Sequence, residues 1–331
     1  MSSPPESLEG TRGAKRLTPR WWWPLLAGVL FGIAYRLLFS QPAGHPYSAM
    51  MSSFTLLVPA LVGAVTIVTA ESTRRRSWAY YFFTAALANA LLVFGALTLS
   101  IEGLICSVLA VPLFAIVGGL SGLLTGALCR WARWPRTSVY GFAVLPLAFG
   151  AVEQHIALPD GILTAKQSRS ISATPDQVWA RLLSTAAIRP EEMGAAWMYR
   201  IGVPLPLSAQ SEEGNGQLVR HVRMGKDIHF DQIATDWEPG HWVLWTYRFT
   251  EDSFPPQALD DHVRIGGRYF DVVDTEYVID ATPRGSTLHV TMHYRVSTTY
   301  NWYVRPIANF LIVNFEQTAL AFYAHRAESE M

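Results

Sequence analysis

Cysteine and charge are both scarce in this chain. Two of its 331 residues are cysteine, Cys106 and Cys129, and both lie in the first half. Their spacing fits neither a zinc knuckle nor a redox pair, and a disulfide-stapled secreted module is excluded. Charged residues make up 16% of the sequence and apolar ones 50%, a balance that excludes a disordered or collagen-like chain. A GxSxG elbow, a P-loop, a GxGxxG fingerprint and, in the second half, a catalytic cysteine are also missing. No cofactor is expected, and catalysis, although not excluded, is the lesser expectation. Basic residues are too few on exposed surface to call for nucleic acid.

What is present divides in two. Residues 1–152 carry 11 Lys/Arg against 4 Asp/Glu, and residues 153–331 carry 15 against 22, so the net charge of zero hides two unlike halves. Five apolar stretches fill the first half: 21–40, 52–70, 78–100, 103–129 and 138–152. About 20 apolar residues cross a hydrocarbon core of roughly 30 Å, so the first four read as transmembrane helices. The fifth reads as a short span, extended through His155 to Leu158, or as an interfacial segment. Arg12, Lys15, Arg16 and Arg20 precede the first stretch, and the connections ESTRRRS and CRWARWPR are basic. QPAGHPYS and the connection around Glu102 contain no Lys or Arg. That alternation puts the N-terminus in the cytoplasm. With five crossings the second half emerges on the outer, periplasmic face of an inner (plasma) membrane; with four it stays inside. The five-crossing arrangement is the expectation. Trp21, Trp22, Trp23, Trp78, Trp131 and Trp134 sit where spans meet water. No small-residue cleavage site follows the first stretch, which therefore reads as a signal anchor.

Inside the spans Arg36 lies near one end, where it can snorkel, and Asn89 is the central amide; this is too little for a proton path. Gly118, Gly122 and Gly126 form a GxxxGxxxG run that suits either packing within the bundle or a homo-oligomer. Pro59, Pro112 and Pro146 are expected to kink their helices.

From residue 165 the periodicity changes. Arg169 to Ala173 reads as a strand, and Thr174 with Pro175 opens a helix whose apolar face is Val178, Trp179, Leu182 and Leu183. A short helix follows at Pro190 to Met193. Strands are expected at 217–224, 228–237, 241–250, 268–280 and 287–296, joined by Gly and Asn turns into an antiparallel meander. In the last, Leu288, Val290, Met292, Tyr294 and Val296 alternate with Thr287, His289, Thr291, His293 and Arg295. A helix runs from Tyr300 through Arg326, with Ile307, Phe310, Leu311, Thr318, Ala321 and Phe322 on one side.

The segments RSISATPDQVWARL, DQIATDWEPG, DTEYVIDATPRGSTLHVTMHYRV and the helix after YNWYVRPIANFL resemble the START-like, or polyketide cyclase and lipid transport (SRPBCC), superfamily. The resemblance covers about 160 residues of the second half. It implies a helix-grip fold, a curved antiparallel sheet holding a long C-terminal helix, with a pocket for a hydrophobic ligand between them. The expected organisation is then a cytoplasmic tail at 1–20, a transmembrane α-helical bundle of four or five helices at 21–158, and an α+β START-like ligand-binding domain at 165–331.

Trp245, Tyr247, Phe249, Tyr277, Ile279, Met292 and Tyr294, with Phe310, Leu311 and Asn314 from the helix, are the candidate pocket wall; an ordinary filled core has the same composition. Asp231, Glu276, Arg248 and Asn314 are candidate inward polar groups. No metal is expected. His289 and His293 lie on a strand, where four residues separate the rings by roughly 13 Å, too far for one ion. His221, His229, His241 and His262 show no ligand spacing. Residues 251–267 form a long connection, of which Phe254 to Val263 is a candidate lid. The function expected is a domain tethered to the lipid bilayer that binds or transfers a hydrophobic small molecule such as a lipid. A cyclase-like enzyme in the same cavity and a ligand sensor that self-associates through its helices are the alternatives.

Overall fold

The computed structural model describes residues 22–42, 45–72, 75–131, 141–214, 216–256, 258–260 and 262–329. The tail at 1–20, Trp21, Arg74, Arg133, Trp134 and Arg136 lie outside them.

The first half is helical. Helix α1 is Trp23–Leu38; a π-helical turn, Ser53–Leu57, runs straight into α2, Val58–Glu71; α3 is Trp78–Thr98, α4 Leu104–Trp131 and α5 Leu145–Glu153. Three of these helical runs, Ser53–Glu71, Trp78–Thr98 and Leu104–Trp131, are long and apolar enough to cross a membrane. Helix α1 is apolar but has 16 residues, about 24 Å of helix, which is shorter than the sequence suggested. Helix α5 has nine residues, and Pro146 stands in its first turn and starts it rather than kinking it.

Glycines set how closely these helices approach. A Cβ on Gly118 would strike the Asn89 amide, one on Gly122 would lie 2.6 Å from both the Ala85 Cβ and the Tyr81 carbonyl, and one on Gly126 would enter the Tyr81 ring. The GxxxGxxxG face of α4 is thus packed against α3 and α2 within the bundle. Asn89 donates to the Pro59 carbonyl at 3.2 Å and to the Ala85 carbonyl at 3.0 Å, joining α3 to α2 at the same level. Arg36 does not snorkel. It is buried, paired with Glu102, and donates to the carbonyls of Phe39 at 2.9 Å and Ile101 at 3.3 Å.

The second half is a helix-grip fold. Its strands are β1 (Ile162–Ile171), β2 (Ser184–Thr185), β3 (Pro206–Gly214), β4 (Gln217–Met224), β5 (His229–Ala234), β6 (Trp237–Glu238), β7 (Trp242–Arg248), β8 (Phe270–Thr282) and β9 (Gly285–Val296). They form one antiparallel sheet in the order β1-β9-β8-β7-β5-β4-β3-β2, with β6 beside β7. Short helices α6 (Pro175–Leu183), α7 (Pro190–Met193) and α8 (Trp197–Arg200) lie between β1 and β3, and the long α9 (Asn301–Glu328) crosses the sheet. Thr174 and Gln177 close a capping box at the start of α6. Strand β1 begins seven residues before the expected Arg169, because all ten of its residues pair with β9. The alternation in β9 is as expected: Leu288, Val290, Met292, Tyr294 and Val296 are buried.

Of the expected side of α9, Ile307, Leu311 and Phe322 line the inner surface and Thr318 is buried, while Phe310 departs from it. Val304, Ala308, Leu311, Phe315, Ala319 and Phe322 follow the 3–4 spacing that faces the sheet, and Phe310 is 52% exposed one residue out of step. Replacement Gly122→Val is expected to lower the unfolding midpoint of the detergent-solubilised chain by the equivalent of about 1–3 kcal/mol, the usual cost of overpacking. Gly214→Ala, where a Cβ meets nothing within 4 Å, should leave it unchanged. Equal midpoints for the two variants would contradict this packing.

Candidate functional site

The concave sheet face carries more apolar surface than α9 covers. The uncovered part meets the ends of the N-terminal helices, and between them lies a cavity of about 360 Å³. Val222, Phe230, Tyr247, Tyr277 and Met292 line it from the sheet, and Ile307, Ala308, Leu311 and Phe315 from α9. Met50, Phe54, Leu92, Ala96, Ile105, Leu109 and Leu113 line it from the bundle, and Phe254, Leu259, His262 and Ile265 from the connection between β7 and β8. Its size falls in the range of about 300–1,000 Å³ usual for small-molecule sites.

Hydrogen bonds hold the two halves around it. Tyr303 Oη donates to the Leu109 carbonyl at 2.7 Å, and Tyr269 Oη to Ser48 Oγ at 3.2 Å. Glu153, at the end of α5, accepts from the Ser52 N–H at 2.5 Å, the Ser53 N–H at 2.8 Å and Thr299 Oγ1 at 3.0 Å. A carboxylate at the exposed amides of a helix N-terminus is favoured by the local dipole. Here it also ties that helix to the loop before α9.

A few polar groups face the apolar cavity. Arg220, 4% exposed, lies 4.5 Å over the Trp245 ring, and its Nε donates to Gln232 Oε1 at 2.7 Å and its Nη1 to the Leu182 carbonyl at 3.0 Å. Among the described residues no carboxylate pairs with it. The Tyr247 and Thr275 hydroxyls are 2.7 Å apart. Burial raises the phenols of Tyr247 and Tyr277, so both stay protonated donors.

Of the expected pocket wall, Tyr247, Tyr277, Met292 and Leu311 line the cavity. The others do not, each for a steric or electrostatic reason. Trp245, Ile279 and Tyr294 are buried in the core beside it, where Tyr294 Oη donates to Asn309 Oδ1 at 3.0 Å. Phe249 stacks on Tyr247 and packs at a tilt against Phe230 and Phe254. Phe310 faces outward, and Asn314 accepts from the Trp197 N–H at 2.7 Å. Asp231 is on the convex face, 2.7 Å from both His221 and Arg248, and Glu276 accepts from Trp242 Nε1 at 2.9 Å. His289 and His293 pair outward with Asp280 and Asp274 at 3.1 Å and 2.6 Å.

Arg220 was not among the expected site residues. Its signal was parity, since Leu218, Arg220 and Val222 alternate on β4 and a cation among inward positions needs a partner. Local spacing gives no signal for the convergence of Glu102, Cys106, Asp260 and His262, whose ligand atoms lie within 4.8 Å of one another where α4 meets the β7–β8 connection.

No protein-family model and no curated protein matches the chain. Among solved structures it is similar to the Zhui aromatase/cyclase from a Streptomyces species, at 15% identity over 51% of this chain and 96% of that one, with a TM-score of 0.34. A Staphylococcus aureus protein of unknown function aligns at 10% identity over 52% and 96%, with a TM-score of 0.32. The di-domain ARO/CYC BexL aligns at 15% identity over 64% of this chain and 63% of that one, also with a TM-score of 0.32.

Glu316, on α9 behind the cavity, is fully buried, and the Met292 backbone approaches its carboxyl without closing a hydrogen bond. Burial pushes this group up to about 8. Folding then binds a proton that the unfolded chain releases near its ordinary value of 4.5, so stability falls as pH rises from about 4.5 to 8 and levels off above that. Glu316→Gln should flatten this part of the profile, with a gain on the order of a few kcal/mol at pH 8. Thermal melts of the full chain between pH 5 and 9 check it, and parallel profiles for the two proteins would rule the buried acid out as the cause.

Proposed function

We propose that the chain is a membrane-tethered helix-grip protein that binds a hydrophobic small molecule in the cavity shared by its two halves. The observation that carries the reading is that shared wall. A cavity floored by apolar helix ends admits an apolar guest from the bilayer without a passage through water. The apolar lining suits an acyl or isoprenoid body, and Arg220 suits a carboxylate, phosphate or carbonyl oxygen at the guest's polar end, since charge-assisted hydrogen bonds strengthen in an apolar site. The β7–β8 connection, which contributes Phe254, Leu259 and Val263 to the wall, is the natural place for a gate.

Arrangement along the bundle supports an outer location. The helix ends that meet the sheet belong to the two connections without Lys or Arg, around His45 and Glu102, while Arg76 and Arg130 mark the opposite end. Helix α4 ends at that basic end, and α5 contacts Ser52 and Ser53 at the other. By the distribution of basic residues the helix-grip domain belongs on the outer face.

Lipids extracted from the full chain purified in mild detergent should include one bound species in stoichiometric amount. Ala308→Trp, which fills the cavity, should remove it, whereas Phe310→Ala on the outer side of α9 should not. Arg220→Gln should weaken binding of a long-chain carboxylate probe by about 10- to 100-fold, as expected for a buried charge-assisted hydrogen bond. Equal lipid content in wild type and Ala308→Trp would contradict the cavity as the binding site. For orientation, a reporter active only in an oxidising compartment should work when fused after residue 329 and fail when fused before residue 22; the reverse pattern would overturn the outer location.

A further inference from the structure

We propose that Glu102, Cys106, Asp260 and His262 form a site for a divalent transition-metal ion of zinc type, joining the membrane bundle to the β7–β8 connection. The proposal does not depend on what fills the cavity. The donors come from separate parts of the chain. Glu102 lies two residues before α4 and Cys106 in its first turn, and Asp260 and His262 are two residues apart in the connection. A tetrahedral ion with bonds of about 2.0–2.3 Å sets its donors roughly 3.3–3.8 Å apart. Here all four lie within 4.8 Å of one another, so small side-chain rotations close the shell.

Three further features fit. One sulfur, one imidazole nitrogen and two carboxylates are a borderline donor set, which suits zinc or cobalt better than magnesium or calcium. Gly103 clears the approach, because a Cβ there would lie 3.2 Å from Asp260 Oδ2. The charges also balance: a thiolate and two carboxylates against a divalent ion leave one negative charge, and Arg36 is paired with Glu102 in the outer layer. With four protein donors the site is a structural clamp. It would hold the connection against the bundle, and since Glu102, Cys106 and His262 also line the cavity, it would fix one wall of it. Binding would release protons from the Cys106 thiol and from any His262 imidazolium paired with Asp260.

The test uses the full chain in detergent, stripped with chelator and desalted. Zinc should return at one ion per chain, and cobalt should give a thiolate-to-metal charge-transfer band. Cys106→Ser should abolish the band, Cys129→Ser should keep it, and His262→Ala should weaken zinc binding by about tenfold or more. Substoichiometric zinc, or a cobalt spectrum indifferent to Cys106→Ser, overturns the site. A second readout needs no variant: zinc should protect Cys106 from alkylation in the wild-type chain relative to Cys129. Equal labelling of Cys106 with and without zinc would equally overturn the proposal.

Discussion

A curved sheet with one apolar face must keep that face from water, and this constraint organises the molecule. Eight strands side by side, at about 4.8 Å each, would span nearly 40 Å if flat, whereas one helix with its side chains is about 10–12 Å across. Curling reduces the mismatch without removing it. Helix α9 covers the middle and α6 one side, and the remaining apolar area meets the ends of α2, α3 and α4. Those helix ends present Phe54, Leu92, Ile105 and Leu113, which would otherwise face water too. Each half closes the other, and the imperfect fit between a concave sheet and a set of helix ends leaves the cavity.

Charge at this seam follows the same logic. Moving ions from water into an apolar joint is costly unless each finds a partner. Arg36 meets Glu102, Asp260 meets His262, and Glu153 meets helix amides and Thr299. Arg220 differs, with an aromatic face, an amide and a carbonyl around it but no acid among the described residues. The sheet end of the cavity therefore carries a net positive charge and the seam end is balanced, which gives the space a direction along which an amphipathic guest can align.

Much of the architecture was legible in the sequence because it depends on local pattern. The apolar runs gave the bundle, strict alternation gave β9, and Thr174 with Pro175 gave the start of α6. What escaped depends on pairing with distant segments. The first part of β1 is mostly exposed and β3 is mostly polar, and they are strands because β9 and β4 supply their hydrogen bonds. The site was less legible for a related reason. Tyr247, Tyr277, Met292 and Leu311 were reachable from strand parity and helix spacing, but the same parity places Trp245 and Tyr294, which pack solidly beside the cavity. One-dimensional pattern distinguishes inward from outward; it does not distinguish filled from hollow. The bundle's share of the wall, and the meeting of Glu102 with His262 across 160 positions, had no counterpart in any local pattern.

The central claim is that both halves of the chain enclose one guest, and a photoreactive lipid analogue incorporated into the bilayer around the full-length protein addresses it most directly. After irradiation and peptide mapping, the account predicts adducts on the bundle wall near Leu109 and Leu113 and on the sheet and α9 near Tyr247, Met292 and Ala308. Adducts confined to exposed outer positions of the bundle such as Phe83 and Leu120, with none on the sheet or α9, would contradict it.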